Sequence, residues 1–226
     1  MRGLAEKYDT FIFDWDGTII TTTELRKLDS KLDFRLLFKR RESMKHLGNV
    51  KNEVKNSGSL LYKIYFRDSR KVRKVERDIK NKVYALAINI VLSFTRPRLH
   101  NGVREMLQEM NDKGKTVAVF TNGNVDRIMK EAEMLKIGDY FTAMLSAQSV
   151  NRLKPNPLGL EVLIKGISAD KKRTLYIGDM VDDIVTAKRA GVASCAIADG
   201  LDRKEDLKES DPTYIFRSME EFKKHI

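Results

Sequence analysis

Three polar clusters, each placed at the end of a short apolar run, constrain the fold of this chain more than any other feature. DWDGT follows Thr10–Phe13, TNGN follows Val117–Phe120, and GDMVDD follows Thr174–Ile177. Runs of this length that end in polar turns are typical of buried strands in a parallel sheet. Because ligands bind beyond the carboxyl ends of such strands, we expect the three clusters to meet at one edge of the sheet.

The segments around these runs alternate between helical and strand patterns. Repeated alternation of this kind predicts an α/β fold, a Rossmann-like, doubly wound parallel sheet with helices on both faces. The other predicted elements are helices at Gly102–Lys113, from near Val125, at Leu158–Lys165 and at Ile184–Ala190, and strands at Phe141–Leu145 and Val192–Ile197.

Residues 21–99 interrupt the alternation and carry most of the positive charge. They contain 21 Lys and Arg against 8 Asp and Glu, in a chain whose formal net charge is +11. Apolar stripes from Leu25 and from Val75 predict that this insert is mainly helical. A solvated helical surface explains the charge. The alternatives are attraction of an anionic substrate and nucleic-acid binding, although no recognised RNA- or DNA-binding pattern accompanies the charge.

The composition excludes several classes of protein. A single cysteine, Cys195, allows neither an internal disulfide nor a cysteine zinc site, and the scattered His46, His100 and His225 argue against a histidine zinc site or a Ser-His-Asp triad. No apolar run approaches the roughly 18 to 20 residues that a bilayer span requires, and the N-terminus has no apolar signal region. We therefore expect a cytoplasmic protein that does not associate with membranes.

The predicted sheet edge gathers carboxylates beside a hydroxyl, an amide and an ammonium group. So many carboxylates remain ionised together only beside a cation, and ligation by oxygen atoms alone suits Mg²⁺. The other donors are those that phosphate oxygens require, which predicts phosphoryl transfer with a carboxylate nucleophile that forms an aspartyl-phosphate. The candidate residues are Asp14, Asp16, Asp179, Asp182 and Asp183, together with Thr121, Asn122 and Lys154.

Three residues in or near these motifs have simpler explanations. Asp182 has the alternative role of capping the helix that follows it. Cys195 lies in an apolar run and is expected to be a buried core thiol. Trp15 is expected to pack in the core, because successive side chains of an extended chain point in opposite directions.

The ordered set FDWDGT, FTNGN, RLKPNP and YIGDMVDDI resembles the four signature motifs of the haloacid dehalogenase-like hydrolase superfamily, especially its phosphoglycolate phosphatase-like branch. The resemblance covers residues 10–20 and 100 to about 200. It implies a Rossmann-like catalytic core formed by residues 1–20 and 100–226. It also implies that residues 21–99 form a mainly helical cap domain inserted after the first motif.

The resemblance also implies a role for each residue that matches a motif. Asp14 would be the nucleophile. Asp16 would be the general acid that protonates the leaving oxygen and then activates the hydrolytic water. Thr121 and Lys154 would hold the transferred phosphoryl group, assisted by the backbone amide of Asn122.

The same resemblance implies a Mg²⁺ site. Its ligands would be Asp14, the backbone carbonyl of Asp16, and Asp179, while Asp183 would bind the metal indirectly or through water. Trp15 replaces the aliphatic residue that usually stands between the two aspartates, and we expect this to change the packing and not the chemistry.

These observations lead to one main hypothesis and two alternatives. The main hypothesis is a Mg²⁺-dependent phosphatase that hydrolyses a small phosphorylated metabolite and is similar to phosphoglycolate phosphatase. Asp16 argues against a dehalogenase, because a halide leaves without a proton whereas an alkoxide requires one. The alternatives are a phosphomutase or phosphotransferase of the same superfamily, and a non-hydrolytic phospholigand or nucleic-acid binding protein that uses the basic insert.

Overall fold

The computed structural model describes residues 3–21 and 97–226. These residues belong to one compact unit, which comprises Met1–Thr22 and Leu92–Ile226. The cap domain predicted at 21–99 lies outside the described residues, apart from its two ends. Within the described ranges, no helix is both long enough and apolar enough to cross a membrane.

The strands of the described residues form one sheet in which every pair is parallel. They are β1 (Thr10–Phe13), β2 (Thr116–Thr121), β3 (Ala143–Ser146), β4 (Thr174–Gly178), β5 (Ala193–Ile197) and β6 (Tyr214–Phe216). Their order across the sheet is β3-β2-β1-β4-β5-β6. The chain proceeds outward from β1 to β3 and then returns to β4, so the strand order reverses between β1 and β4. This topology confirms the predicted doubly wound α/β fold.

Helices connect the strands and cover both faces of the sheet. In the described residues they are α1 (Leu4–Lys7), α2 (Val103–Asp112), α3 (Val125–Met134), α4 (Leu158–Gly166), α5 (Val181–Ala190), α6 (Lys204–Glu209) and α7 (Met219–Lys223), with 3₁₀ turns at Gly138–Tyr140 and Lys171–Arg173.

The core lies in two layers, one on each face of the sheet. Phe11 and Phe13 belong to an apolar cluster that includes Met106 of α2, whereas Ile12 belongs to a second cluster with Leu160 of α4. Successive strand residues thus alternate between the layers. Because both faces are covered, the strands are continuously apolar, as is typical of parallel sheets.

The third strand begins later than the sequence predicts. Phe141–Leu145 was expected to be extended, but the strand is Ala143–Ser146. Phe141 instead follows the 3₁₀ turn at Gly138–Tyr140, and its ring packs edge-on against Trp15, with 6.0 Å between the ring centroids. Packing against Trp15 therefore accounts for an aromatic residue that the sequence assigned to the strand.

Two differences lie in the C-terminal half. Helix α5 begins at Val181, before the predicted start at Ile184, because the side chain of Asp183 accepts a hydrogen bond from the backbone N–H of Met180 and stabilises the first turn. The sequence predicts neither β6 nor the helices on either side of it. β6 has only three residues, all half-buried, so it shows no apolar run.

The chain leaves and re-enters the described unit at adjacent positions. Ile20 and Leu99 form an antiparallel bridge. The backbone N–H of Thr21 donates to the carbonyl of Arg98 at 2.8 Å, and that of His100 donates to the carbonyl of Ile19 at 3.1 Å. The two crossing segments are therefore hydrogen-bonded to each other directly after the DWDGT turn.

Candidate active site

The first aspartate, Asp14, extends from the end of β1 into the site. Its backbone N–H donates to the carbonyl of Ile177 on β4 at 2.8 Å, which continues the pairing of the two strands by one residue. The side chain of Asp14 is buried, and the next side chain, Trp15, is fully buried in the apolar core, as predicted. β1 and β4 therefore hold Asp14 at the point where the strand order reverses.

The loop after β4 and the first turn of α5 supply two more buried carboxylates, Asp179 and Asp183 respectively. Asp179 accepts hydrogen bonds from the Thr18 hydroxyl at 2.9 Å and from the backbone N–H of Leu201 at 2.7 Å. One ligand atom from each of Asp14, Asp179 and Asp183 lies within 4.8 Å of the others. The structure thus brings together three of the four aspartates that the sequence predicts as metal ligands through their side chains or backbone.

Glycine is required where the DWDGT turn passes over Asp179. Gly17 has a φ of +92°, a conformation that side chains rarely adopt, and an added Cβ would lie 2.3 Å from Oδ2 of Asp179. The turn packs directly against the carboxylate at this point, and it also places Thr18 to donate its hydrogen bond to Asp179. The glycine and threonine of this motif therefore fix the position of Asp179.

Lys154 places its ammonium group between carboxylates of the cluster. Nζ lies 2.6 Å from Oδ1 of Asp14 and 2.6 Å from Oδ1 of Asp183, and 3.0 Å from the hydroxyl of Tyr176. The loop that carries Lys154 is fixed by Asn122, whose side-chain oxygen accepts the backbone N–H of Lys154 at 2.9 Å. The RLKPNP motif therefore supplies a buried positive charge to the carboxylate cluster.

Burial and mutual repulsion determine the proton affinities of the cluster. Burial raises the pKa of Asp14 to about 7; the ammonium of Lys154 opposes this rise, and the charges of Asp183 and Asp16 add to it. Burial raises the pKa of Asp179 well above its usual range, and Asp14 and Asp183 raise it further. Burial lowers the pKa of Lys154, but Asp14 and Asp183 outweigh this and raise it overall. One ammonium does not neutralise these carboxylates, so the donor set suits an additional cation.

The TNGN turn begins with Thr121, the last residue of β2, which pairs with β1. The Thr121 hydroxyl oxygen accepts the backbone N–H of Gly123 at 2.9 Å, which leaves the hydroxyl proton for donation to a ligand. The Ser146 hydroxyl donates to the carbonyl of Gly123 at 2.7 Å, so β3 holds the turn from the other side. Asn122, as described above, is engaged through its side chain with the loop of Lys154.

The second aspartate of the motif, Asp16, has a different partner. Its Oδ2 lies 2.6 Å from Nη2 of Arg127, in the first turn of α3. Both side chains are largely buried. Arg127 was not among the predicted site residues, because whether the first turn of α3 reaches Asp16 depends on the packing of that helix.

Two further residues join the site without being predicted, and one predicted residue is placed apart from it. The unpredicted residues are Thr18 and Tyr176. The hydroxyl of Thr18, which lies within the DWDGT motif, could have indicated a place in the site. Tyr176 lies in an apolar strand, and nothing in the sequence distinguishes its phenol from a core side chain. Tyr176 donates to the carbonyl of Phe120 at 2.9 Å.

Asp182 does not belong to the carboxylate cluster. The helix-capping contact that was its alternative role is made by Asp183.

The family model for haloacid dehalogenase-like hydrolases matches residues 11–197. The chain belongs to the haloacid dehalogenase-like hydrolase family. This match spans all four motifs and includes every residue of the carboxylate cluster.

Relatives and solved structures agree with this membership. The chain is 24% identical over 212 residues to pyrophosphatase PpaX of Halalkalibacterium halodurans, with 93% of each chain covered. It is 30% identical over 119 residues to a phosphoglycolate phosphatase of Haemophilus influenzae, with 53% of each chain covered. The crystal structure of a predicted phosphatase from Clostridium acetobutylicum has a TM-score of 0.65 at 18% identity, covering 96% of this chain and 97% of that one. At this identity, the structural likeness shows the fold alone.

Proposed function

We propose that this chain is a Mg²⁺-dependent phosphatase that hydrolyses a small phosphorylated metabolite through an aspartyl-phosphate intermediate. The observation that carries the proposal is the buried cluster of Asp14, Asp179 and Asp183 with Lys154 between two of its carboxylates. A buried group of this kind, at the carboxyl ends of adjacent strands, suits an anionic substrate bound together with a cation.

In the first step, the Asp14 carboxylate attacks the phosphorus of the substrate. A bond forms between the carboxylate oxygen and phosphorus, and the bond from phosphorus to the ester oxygen breaks. Asp16, in its protonated form, gives its proton to the ester oxygen, so that the product leaves as an alcohol. Asp14 then carries the phosphoryl group, and Asp16 is an ionised carboxylate.

In the second step, water hydrolyses the aspartyl-phosphate. The water oxygen attacks phosphorus while Asp16 accepts a proton from the water, and the bond between phosphorus and the Asp14 oxygen breaks. Inorganic phosphate leaves, Asp14 is again a free carboxylate, and Asp16 is again protonated. Splitting the displacement into two steps allows one carboxyl group to serve first as acid and then as base.

The carboxylate cluster fits a magnesium ion. Asp14, Asp179 and the backbone carbonyl of Asp16 would hold it, and Asp183 would bind it indirectly or through water, which gives a set of oxygen donors that Mg²⁺ prefers. The raised pKa values of Asp14 and Asp179 support this fit, because a bound cation would offset both the burial and the repulsion that raise them. When bound, the metal supplies charge stabilisation to the transferring phosphoryl group.

Thr121, Asn122 and Lys154 would bind the phosphoryl oxygens. The hydroxyl of Thr121 and the backbone amide of Asn122 are neutral donors, and the Lys154 ammonium provides charge. Since Lys154 is buried and hydrogen-bonded on several sides, it is already oriented before substrate binds, and little reorganisation opposes the reaction.

The relatives support a small phosphorylated substrate, and we name phosphoglycolate as the representative. One is described as a phosphoglycolate phosphatase and another as a pyrophosphatase, and both names denote cleavage of a bond from phosphorus to oxygen. The motif order supports a catalytic core at residues 1–20 and 100–226 and a cap at 21–99, inserted directly after the nucleophile motif.

The first test is a phosphate-release assay. Purified protein is given p-nitrophenyl phosphate and phosphoglycolate, with Mg²⁺ or with a chelator. Asp14→Asn is compared with Asp112→Asn, which makes the same substitution at an exposed position on α2. We expect activity in the wild type and in Asp112→Asn, and its loss with chelator and in Asp14→Asn. A folded wild type that releases no phosphate from either substrate, or an Asp14→Asn variant with full turnover, contradicts the proposal.

A further inference from the structure

The two carboxylate oxygens of Asp16 have different surroundings. Oδ2 accepts a hydrogen bond from Nη2 of Arg127 at 2.6 Å. Oδ1 is buried and has no hydrogen-bond partner among the described residues. Leaving a buried carboxylate oxygen without a donor is costly unless a ligand supplies one. The geometry thus distinguishes one anchored oxygen from one that awaits a partner.

Arg127 is itself held by a second carboxylate, that of Glu131. Nη1 of Arg127 donates to Oε1 at 2.8 Å and to Oε2 at 3.1 Å of Glu131, one helical turn further along α3. The two side chains are only 9% and 8% exposed, so solvent screens this pair weakly. The guanidinium therefore bridges two carboxylates through two different nitrogens, Nη1 to Glu131 and Nη2 to Asp16, and a lysine at this position has only one nitrogen to offer.

Trp15 completes the chain of contacts from the core. Its indole N–H donates to Oε2 of Glu131 at 2.7 Å, and its ring is fully buried. The residue between the two aspartates of the motif therefore anchors the far end of the same network: Trp15 fixes Glu131, Glu131 fixes Arg127, and Arg127 fixes Asp16. An aliphatic residue at this position would leave Glu131 without one of its donors.

The TNGN turn closes the space around the pair of Arg127 and Asp16. A Cβ added at Gly123 would lie 2.7 Å from Nη2 of Arg127 and 3.1 Å from Oδ2 of Asp16. The backbone of the turn thus lies directly beside the ion pair and restricts the rotamers of both side chains.

We propose that Arg127 is a positioning residue for Asp16, held in place by Glu131 and Trp15, and that it anchors Oδ2 so that Oδ1 delivers and accepts the catalytic proton. This inference rests on the proposed function, since it assigns a role in phosphate-ester hydrolysis. Arg127 acts through Asp16 and does not touch the reacting atoms.

The inference predicts an effect that depends on the leaving group. The value of kcat/KM depends on the steps up to and including the first irreversible one. Here that step is formation of the aspartyl-phosphate, in which the leaving group departs. A nitrophenolate leaves without needing a proton, whereas the alkoxide of phosphoglycolate requires one from Asp16. Misplacing Asp16 therefore lowers kcat/KM for phosphoglycolate far more than for p-nitrophenyl phosphate.

The test compares two variants and a matched control. Arg127→Lys keeps the positive charge but loses the bridge, and Trp15→Phe keeps the buried ring but removes the N–H donor to Glu131. Arg104→Lys makes the same substitution at an exposed arginine that donates to the carbonyls of Leu135 and Lys136. Circular dichroism and thermal melts confirm folding before kinetics are measured.

For Arg127→Lys, we expect kcat/KM to fall about 10- to 100-fold with phosphoglycolate, which is part of the roughly 10²- to 10⁴-fold that general acid catalysis supplies, and less than about threefold with p-nitrophenyl phosphate. Trp15→Phe is expected to show a smaller loss with the same preference, and Arg104→Lys no change. Equal losses for both substrates in both variants assign Arg127 a structural role and overturn the inference. If Arg127→Lys does not fold, the ratio in Trp15→Phe decides the question. A wild type inactive on both substrates overturns the proposed function and this inference with it.

Discussion

Replacing the proposed nucleophile is expected to make the metal-free protein more stable. Asp14 is buried among other carboxylates, and its pKa is raised to about 7. At pH 8 the folded, metal-free protein therefore holds a carboxylate that would be more stable in the unfolded chain. Asp14→Asn keeps the size of the side chain and an oxygen that accepts from Lys154, but it removes the charge.

The size of the effect follows from the pKa of Asp14. Its usual value is 3.8, and the folded value is about 7. Each pH unit is worth about 1.4 kcal/mol, so ionising Asp14 costs the folded state at most about 4 kcal/mol, and relaxation of the site brings our expectation to about 2 to 4 kcal/mol. Because the folded pKa lies above the unfolded one, the cost is absent below pH 4 and grows as the pH rises to about 7.

The assay is urea-induced unfolding with a chelator present, from pH 5 to pH 8.5. Asp14→Asn should exceed the wild type in free energy of unfolding at pH 8, and the difference should shrink as the pH falls towards 5. Asp112→Asn, at an exposed position, should follow the wild type throughout. Adding Mg²⁺ should reduce the difference, since the variant lacks one ligand charge. An Asp14→Asn variant that is no more stable than the wild type at pH 8 with chelator refutes the reasoning.

Two other predictions concern the metal site and the ion pair between Asp9 and Arg173, which directly precede β1 and β4. In Gly200→Ala, the added Cβ would lie 2.0 Å from Cβ of Asp179, so we expect the Mg²⁺ concentration for half-maximal activity to rise at least tenfold. Gly166→Ala is the control, because a Cβ added there meets no atom within 4 Å, and it should leave that Mg²⁺ concentration unchanged. An unchanged Mg²⁺ requirement in Gly200→Ala contradicts this. Arg173 holds the pKa of Asp9 well below its usual range, so Asp9 stabilises the fold above about pH 4. Asp9→Asn should therefore lower the Tm at pH 7, with a deficit that vanishes at low pH; a constant deficit argues against the ion pair.

The buried strands at the centre of the sheet were the most predictable part of the fold. β1 begins and ends where the apolar run predicts, because both of its faces are covered and polar residues limit it on both sides. β6 was not predicted, since an edge strand of three half-buried residues carries no such pattern. Phe141 shows another limit: an aromatic residue beside a strand looks like part of it until its contact with Trp15 is known.

The site also has a part that the sequence predicts and a part that depends on packing. Asp14 and Asp179 directly follow the central strands β1 and β4, and Asp183 lies in the first turn of the helix after β4, so the topology brings the three together. The contact between Arg127 and Asp16 depends instead on how α3 is rotated and how closely it packs, which a helical pattern does not specify. The role of Trp15 in holding Glu131 likewise requires knowing which polar group lies beside the indole N–H in the core.

The covalent intermediate on Asp14 is the central claim, and trapping it is the most direct test. An aryl phosphate labelled with radioactive phosphorus is mixed with the Asp16→Asn variant and Mg²⁺, because loss of the base slows hydrolysis of the intermediate. The mixture is quenched in acid and digested. The account predicts label on the peptide that contains Asp14, its release by hydroxylamine, and no label when Asp14→Asn is added to the variant. Release of phosphate with no labelled peptide at any time, in the variant and in the wild type, would contradict it.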